Sequence, residues 1–262
     1  MQNVAEVSNF LRFKDVGVGS TEAEIRVDLA ACYRLVALYG MSDLAANHIT
    51  ARVAGGADQF FINPYGVVYD EITASSLNKI DLEGNVIEQG NTSYGVNTAG
   101  YIIHSAVHAV RADVICVLHT HTQAGVAVSA MEEGLMPLTQ TALQLYDQIA
   151  YHEYEGPSTT IEERVRLADH LADKNFLILR NHGLLTCGRT IAEAFFNMYL
   201  LDTACKIQVD LLASGAKIHR PSVESVAAAK ALMDDIRLVP RGNLEWASLR
   251  RRLDRLLPGY EQ

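Results

Sequence analysis

The sequence predicts an α/β fold, because long segments with helical periodicity alternate along the chain with short apolar runs that are typical of buried strands. The chain has 262 residues, and 49% of them are hydrophobic, which is enough for one packed core. We therefore expect one α/β domain over residues 21–215, with an N-terminal extension (1–20) before it and a C-terminal helical extension (216–262) after it.

The first part of the chain predicts a helix followed by a hairpin. Thr21 and Glu24 have the spacing of a capping box, and the periodicity that follows predicts a helix over 25–39 that ends before Gly40. Two short strands, over 49–53 and 59–62, flank a turn that contains glycines, and the Asn63-Pro-Tyr-Gly66 segment then turns the chain.

The alternation continues to the C-terminus. The pattern predicts a helix over 99–110, a strand over 114–118, helices over 123–129 and 160–173, a strand over 175–180, a helix from a second capping box at Thr190 and Glu193 to near Gly215, and a helix over 223–236. Arg250–Arg252 and Arg255 indicate a short C-terminal helix whose cations pair with acidic neighbours, with another subunit as an alternative source of those partners.

Three histidines stand at the ends of two predicted strands. His119 and His121 close the run that begins at Val114, and His182 follows the second run. Side chains alternate along a strand, so His119 and His121 point to the same side. A third imidazole from the neighbouring strand end would complete a divalent-metal site that keeps an open position, as catalytic sites do. Gly183 directly after His182 allows a tight turn.

The other interpretation of a histidine in a half-buried strand is a hydrogen-bonded core or surface group. We interpret four of the remaining histidines in this way: His48, His108, His170 and His219. For His119 and His121 the metal is favoured, because two polar rings at one buried spot need partners there.

Composition excludes several classes of partner. The formal charge of −9 and the pI near 5.4 argue against a surface for nucleic acid or for an anionic membrane. The cysteines are widely spaced inside apolar segments and are interpreted as reduced core thiols: Cys32, Cys116, Cys187 and Cys205. The sequence shows no signal-peptide pattern and no run of membrane-spanning length, so we expect a cytoplasmic protein.

Four motifs, in this order, are similar to those of the class II aldolase and adducin family: Asn47-His-Ile-Thr50, Asn63-Pro-Tyr-Gly66, His119-Thr-His121 and Arg180-Asn-His-Gly183. The similarity covers about 21–214, and the segments 126–130, 150–154 and 177–184 resemble the adducin branch most, as a stand-alone head domain. The resemblance implies a three-layer α/β/α sandwich around a central, mainly antiparallel β-sheet. It also implies a homotetramer with active sites at subunit interfaces.

The resemblance further implies that His119, His121 and His182 bind a divalent metal, with zinc expected first and manganese or iron as alternatives. In the family, the metal holds oxygens of a small substrate and stabilises the enolate that forms when a carbon–carbon bond breaks. We therefore expect a metal-dependent lyase, an aldolase or a decarboxylase, that acts on a small hydroxy or keto carbonyl compound.

Gly100 departs from the family pattern. The aldolases place a glutamate that moves the proton four residues before the histidine matching His104, and this chain has Gly100 there. The missing carboxylate favours decarboxylation, because carbon dioxide leaves without a base. The alternative is that Gly100 only lets the helix start close to its neighbours, and that another residue supplies the proton.

The positions that resemble the substrate pocket are also altered. The resemblance assigns substrate binding to Asn47, Tyr65, Gly66 and Thr98, and two hydroxyl donors of the sugar-phosphate members are missing. We therefore predict a substrate that is not phosphorylated or that carries a carboxylate. The family's tyrosine would fall near Thr141, and Tyr151 is the candidate catalytic residue among the downstream tyrosines 146, 151 and 154, with packing as its alternative role.

Two other functions stay open at this point. An adducin-like head domain is a non-catalytic assembly module, although the chain lacks the long neck and lysine-rich tail of adducins. Three histidines that hold iron could also support oxygen chemistry, but the commoner oxygenase site has two histidines and one carboxylate. The identity of the metal separates these hypotheses from the lyase.

Overall fold

The computed structural model describes residues 21–53, 55, 58–156, 161–236 and 241–262. The predicted N-terminal extension (1–20) lies outside the described residues, as does Thr160 at the start of one predicted helix.

The described residues contain the predicted helices and strands together with further elements that the sequence did not predict. The helices are α1 (Glu22–Leu38), α2 (Thr98–Val110), α3 (Gln123–Ser129), α4 (Gln140–Leu143), α5 (Ile161–Leu171), α6 (Ile191–Ala213), α7 (Val223–Ile236) and α8 (Asn243–Leu256). The strands are β1 (His48–Arg52), β2 (Gln59–Ile62), β3 (Asn78–Asp81), β4 (Val86–Glu88), β5 (Cys116–Thr120), β6 (Ile149–His152), β7 (Phe176–Leu179) and β8 (Gly183–Gly188).

The eight strands form one sheet in the order β4-β3-β2-β1-β5-β8-β7-β6. Every neighbouring pair is antiparallel except β6 and β7. The central pairs bring the ends of β1, β5 and β8 together, since His48 lies opposite His119 and Leu184 lies opposite Thr120. The mainly antiparallel sheet that the resemblance implied is therefore confirmed.

The sheet separates two apolar layers, because successive side chains of a strand point to opposite faces. In β5, Val117 packs against α2 and α5, whereas Cys116 and Leu118 face the core that α1, α3 and α6 cover. The alternation places helices on both faces of the sheet. The predicted three-layer α/β/α sandwich is confirmed.

Differences from the predicted elements are largest where strands are short or polar. The strand predicted over 114–118 is Cys116–Thr120, so His119 lies within it. Four strands were not predicted: β3, β4, β6 and β8. Strand β8 is buried along its whole length, but glycines at both ends and Thr186 leave only short apolar runs in the sequence.

The two predicted capping boxes differ. At α1 both halves form, since Thr21 Oγ1 accepts from the Glu24 N–H and the Glu24 carboxylate accepts from the Thr21 N–H. At α6, Thr190 Oγ1 accepts from the Glu193 N–H at 3.0 Å, but the Glu193 carboxylate binds the N–H and guanidinium of Arg189 instead. The second half of that predicted box is therefore wrong.

The C-terminal helix packs on the first helix. Asp28 of α1 accepts from Trp246 Nε1 at 3.1 Å and from Arg250 Nη1 at 3.2 Å. One of the predicted arginine pairings thus occurs within the chain. The four cysteines are buried free thiols, as predicted. Among the described helices, none combines the length and apolar character needed to cross a bilayer.

Candidate metal centre

The three histidines singled out in the sequence lie together at the ends of two central strands, β5 and β8. His119 is the fourth residue of β5, His121 follows that strand, and His182 precedes β8. Nε2 of His121 lies 2.8 Å from Nε2 of His119 and 3.0 Å from Nε2 of His182. Among the described residues, this is the one group of three or more potential ligands whose donor atoms all lie within 4.8 Å of one another.

Hydrogen bonds at the far side of two rings turn the Nε2 atoms towards one another. His119 Nδ1 lies 2.9 Å from the Leu184 carbonyl, and His121 Nδ1 lies 3.1 Å from a carboxylate oxygen of Asp43. Both partners are acceptors, so each ring donates from Nδ1, and a neutral ring in that tautomer has its lone pair on Nε2. Sequence analysis did not identify Asp43, because it lies in a loop 78 residues from His121.

Burial favours the neutral form of His119 and His182. His119 is buried, while His121 and His182 are half-buried. Burial, and then the neighbouring His48, His182 and His121, holds the pKa of His119 well below its usual range. Burial and the nearby His121 lower the pKa of His182 to about 4. Neutral imidazoles with free lone pairs are the form that binds a metal.

The geometry fits a metal with histidine ligands. Three ligands at tetrahedral angles and 2.0–2.1 Å from a zinc ion lie about 3.3 Å from one another. The two shortest Nε2 separations, 2.8 and 3.0 Å, are close to that spacing. The acceptors on Nδ1 of His119 and His121 are the contacts that usually orient metal-binding histidines.

The backbone around His182 differs in one respect from the sequence prediction. Asn181 has the left-handed conformation, with φ of 56°, and so makes the turn that we had assigned to Gly183. Gly183 is needed for a close approach instead, because a Cβ there would lie 2.4 Å from the Thr120 carbonyl oxygen. Its lack of a side chain lets β8 lie against β5 where the histidines meet.

A cavity of about 460 Å³ opens beside the three histidines. Its wall contains Ala46, His48, Asn97, Gly100, Ile103, His119, His121, Tyr154, Gly156, Asn181 and His182. No aspartate or glutamate belongs to this set of described residues. The cavity wall therefore combines imidazoles, amides and one phenol.

His48 is a residue of this wall to which the sequence analysis gave no role at the site. It was interpreted as a bonded core or surface group, and its Nδ1 does lie 2.8 Å from His104 Nε2. Its ring also lies 5.3 Å from the ring of His119 across the β1–β5 pair and borders the cavity. The spacing of two between His48 and Thr50 indicates a shared face, but the sequence does not show that β1 pairs with β5.

The described cavity wall contains none of the residues predicted to bind substrate. Ala46 and His48 line the wall on either side of Asn47, whose buried side-chain amide has no hydrogen-bond partner among the described residues. Tyr65 is exposed, and Gly66 has φ of 105° and packs near the Tyr94 ring. Thr98 begins α2, but its side chain is outside the described part of the structure. Their binding roles stay predictions.

The two tyrosines near the site have different surroundings. Tyr151 accepts a hydrogen bond from the Leu135 N–H at 3.1 Å, and the Arg180 guanidinium lies 4.4 Å from its ring centre. Tyr154 lines the cavity, is 55% exposed, and has its ring 6.4 Å from that of His182. The catalytic role of Tyr151 stays a prediction, and its present contacts are structural.

The fold and the site together define the family. The chain belongs to the family described as the class II aldolase and adducin N-terminal domain, whose model matches residues 27–209. A Pseudomonas aeruginosa relative that is provisionally named an aldolase class 2 protein is 49% identical over 94% of this chain and 95% of its own length. Alpha-adducin of Mus musculus is 47% identical over 79% of this chain, which corresponds to 28% of the adducin.

Two solved structures have the same fold over nearly the whole chain. An aldolase II superfamily protein from Pseudomonas syringae has a TM-score of 0.86 and 41% identity, and the match covers 94% of this chain and 98% of that one. An L-fuculose 1-phosphate aldolase from Glaciozyma antarctica has a TM-score of 0.80 and 27% identity, with coverage of 93% and 94%. The predicted family and fold class are both confirmed.

Proposed function

We propose that this protein is a divalent-metal-dependent carbon–carbon lyase that acts on a small hydroxy or keto carbonyl compound. The observation that carries the proposal is the convergence of three imidazole Nε2 atoms on the wall of a cavity of about 460 Å³. A cavity of that volume accommodates a small molecule. Membership of the class II aldolase family supports the same reaction type.

His119, His121 and His182 are the residues that would hold the metal, with zinc expected first and manganese or iron as alternatives. When bound, a divalent cation supplies Lewis-acid stabilisation of the negative charge that develops on a substrate oxygen as the carbon–carbon bond breaks. Three neutral ligands leave the full positive charge of the ion available for that purpose.

The composition of the wall favours decarboxylation over retro-aldol cleavage. A retro-aldol step requires a base that removes a hydroxyl proton, whereas decarboxylation releases carbon dioxide and then requires a proton at the remaining carbon. Gly100 contributes no carboxylate, and the described wall residues include neither aspartate nor glutamate. Among the described wall residues, Tyr154 carries the O–H group that would supply this proton.

The residues predicted to bind substrate remain part of the proposal. The buried amide of Asn47, which has no partner among the described residues, supports a polar ligand beside the β1 end. Tyr65, Gly66, Thr98 and Tyr151 keep the roles that the family resemblance implies. We also propose a homo-oligomer, a tetramer by resemblance, whose neighbouring subunit completes the cavity, and size-exclusion chromatography with light scattering tests it.

Metal content is the decisive test of the proposed function. We expect about one equivalent of zinc, manganese or iron per chain in gently purified protein, and none in the His119→Ala/His121→Ala double variant. His219 is exposed, so His219→Ala is the matched control and should keep the metal. Loaded protein is then screened with hydroxy- and keto-carboxylates for release of carbon dioxide or an aldehyde. A folded parent that rejects all three metals would contradict the proposal.

A second candidate is a non-catalytic assembly module like the head domain of adducin. It is favoured by the 47% identity with alpha-adducin, compared with 27% for the fuculose 1-phosphate aldolase structure. An assembly module has no need of a bound metal. A metal-free parent that is stable and inactive towards the whole screen would support this second function.

A further inference from the structure

A second group of titratable side chains lies between the end of β6 and helix α5, outside the candidate metal centre. His152 is the last residue of β6 and is 2% exposed, whereas His170 lies in the last turn of α5 and is exposed. The Nδ1 atoms of the two rings are 3.0 Å apart, so one ring donates a hydrogen bond to the other. We call these two residues the histidine pair.

Two carboxylates face the other nitrogen of His152. Its Nε2 lies 3.8 Å from Oε1 of Glu163 and 4.0 Å from Oε1 of Glu155, and it has no hydrogen-bond partner among the described residues. A lone pair at this position would face two negative charges, whereas an N–H is attracted by them. The neutral ring of His152 therefore carries its proton on Nε2 and accepts the Nδ1–H of His170.

The histidine pair has room for one additional proton but not for two. When one ring is charged, its Nδ1–H still donates to the other Nδ1. When both rings are charged, two N–H groups 3.0 Å apart point at each other and no acceptor remains between them. Burial, and then the charge of His170, lowers the pKa of His152, which agrees with this opposition. The pair therefore titrates as a unit.

The charged groups around the pair favour the first proton. Glu163 and Arg166 lie on the same face of α5 as His170, at spacings of three and four residues, and Glu155 follows β6. On the other side, the neighbouring strand β7 places the apolar Leu179 opposite His152. Two carboxylates against one guanidinium leave an excess of one negative charge, which one proton on the pair cancels.

Glu155 connects the histidine pair to the cavity. Its neighbours Tyr154 and Gly156 both line the cavity, and we call these three residues the wall segment. The Glu155 carboxylate accepts from Arg166 Nε at 2.8 Å and from Arg166 Nη2, which ties the wall segment to α5. The hydrogen bond from Arg166, and then the charges of Arg166 and of the histidine pair, lower the pKa of Glu155. A charge on the pair therefore acts on the residue that holds the wall segment.

We propose that the histidine pair is a pH-sensitive switch, which takes up one proton on acidification and draws Glu155, with the wall segment, towards the end of β6. The charge shortens the contact between Glu155 and His152 Nε2 from 4.0 Å towards the length of a charge-assisted hydrogen bond, about 2.8 Å. Tyr154 moves with Glu155 and changes the shape of the cavity. This switch does not rest on the proposed function, because neither the pair nor Glu155 belongs to the metal centre.

Carbon-13 NMR of the full-length protein, labelled at Cε1 of histidine, counts the protons on the pair. The two signals are assigned by His152→Gln and His170→Gln, and a histidine peptide provides the shift of a fully charged ring. Between about pH 8 and pH 5, where histidines usually titrate, the changes of both signals should sum to one charged ring. Two charged rings, or none, would overturn the proposal.

The His170→Gln variant separates a shared proton from two independent rings. Glutamine still reaches His152 Nδ1 as a donor or, after rotation of its amide, as an acceptor, but it carries no charge. The titration of His152 should therefore move to higher pH by at least about 0.5 unit, because the opposing charge is gone. An unchanged titration of His152 would mean that the two rings do not share a proton, and the switch would fail.

Carbon-13 labels on the tyrosine rings show whether the wall segment follows the proton. The Tyr154 signal, assigned by its loss in Tyr154→Phe, should shift with the same midpoint as the histidine pair. Glu155→Gln removes the charge that the pair attracts and should abolish this shift. Glu153→Gln is the matched control, since it removes an equal charge from a side chain that is 80% exposed, and it should keep the shift.

A Tyr154 signal that stays constant in the parent, or that moves equally in Glu155→Gln, would overturn the switch. A protein that binds no metal but shows both the single proton and the Tyr154 shift would instead contradict the proposed function alone.

Discussion

Gly100 and His48 occupy one space at the cavity wall, because a Cβ added to Gly100 would lie 2.4 Å from Nε2 and 2.6 Å from Cδ2 of the His48 ring. Gly100 lies in α2 one turn before His104 and two turns before His108, so all three share the helix face that points to the sheet. Gly100 at the start of this face thus leaves space for the His48 ring, which contacts His104 one turn further along the helix.

A two-residue substitution cycle tests this relationship. Gly100→Ala should destabilise the parent by about 1–3 kcal/mol, because the His48 ring has to move. In a His48→Ser background the ring is absent, and the same change should stabilise the protein by about 0.5–1 kcal/mol through the helix propensity of alanine. Urea unfolding measures all four proteins. Equal effects of Gly100→Ala in both backgrounds would contradict the contact.

Asp43 is expected to orient His121. Its carboxylate oxygen lies 3.1 Å from His121 Nδ1, and the hydrogen bond from the Ala46 N–H to the Asp43 carbonyl holds the loop that carries it. Asp43→Ala should weaken zinc binding about 10- to 100-fold, as expected when a carboxylate behind a metal-binding histidine is lost. Competition with a chelator measures the affinity. Asp43→Asn keeps an acceptor and should lose less, and equal affinity in all three proteins would refute the role.

The position of the three histidines followed from the sequence more reliably than the rest of the site. The spacing of two predicts His119 and His121 on one side whatever the neighbouring strands are, and His182 follows a run that is apolar throughout. The contacts of His48 and Asp43 depend on which strands pair and where a loop crosses. Those relationships are long-range, so a local pattern does not contain them.

In the fold, too, elements that depend on local signals were predicted and elements that depend on strand pairing were not. Helices α3 and α7 and strand β2 have the predicted bounds, because caps and periodicity are local signals. Strand β8 was missed although it is buried throughout, since its assignment depends on pairing with β5 and β7. The three-layer arrangement came from the family resemblance, because periodicity alone does not set strand order.

Tyr151 and Tyr154 are expected to respond differently to loss of their hydroxyl groups. Tyr151→Phe leaves the Leu135 N–H without its acceptor, and burial already raises the pKa of this phenol, so we expect a loss of about 1–2 kcal/mol in stability. Tyr154→Phe should leave the free energy of unfolding unchanged, because Tyr154 is 55% exposed.

The same two variants separate the catalytic assignments. If Tyr154 contacts the ligand, Tyr154→Phe lowers turnover of an identified substrate, while Tyr151→Phe retains turnover at temperatures where it is folded. The opposite result would restore Tyr151 as the catalytic tyrosine that the sequence suggested. Thermal unfolding and steady-state rates on the same preparations provide both measurements.

The buried His108 should make the fold sensitive to acid. Burial, and then the charge of Arg52, lowers the pKa of His108 to about 3, whereas an unfolded chain titrates its histidines near 6.5. Between these values the unfolded state binds the proton and the folded state does not. Stability is therefore complete above about pH 6.5 and falls by about 1.4 kcal/mol per pH unit for each such histidine as the pH is lowered.

Urea unfolding between pH 7.5 and 5 measures this slope, and substitution isolates the share of His108. His108→Phe keeps an aromatic ring against Phe60, whose centre lies 4.3 Å away, but binds no proton. Its stability should fall less steeply with acid, by about 1.4 kcal/mol per pH unit, whatever its stability at pH 7.5. His219→Ala removes an exposed histidine and should keep the parent slope. A parent slope in His108→Phe would mean that burial does not keep His108 neutral in the folded protein.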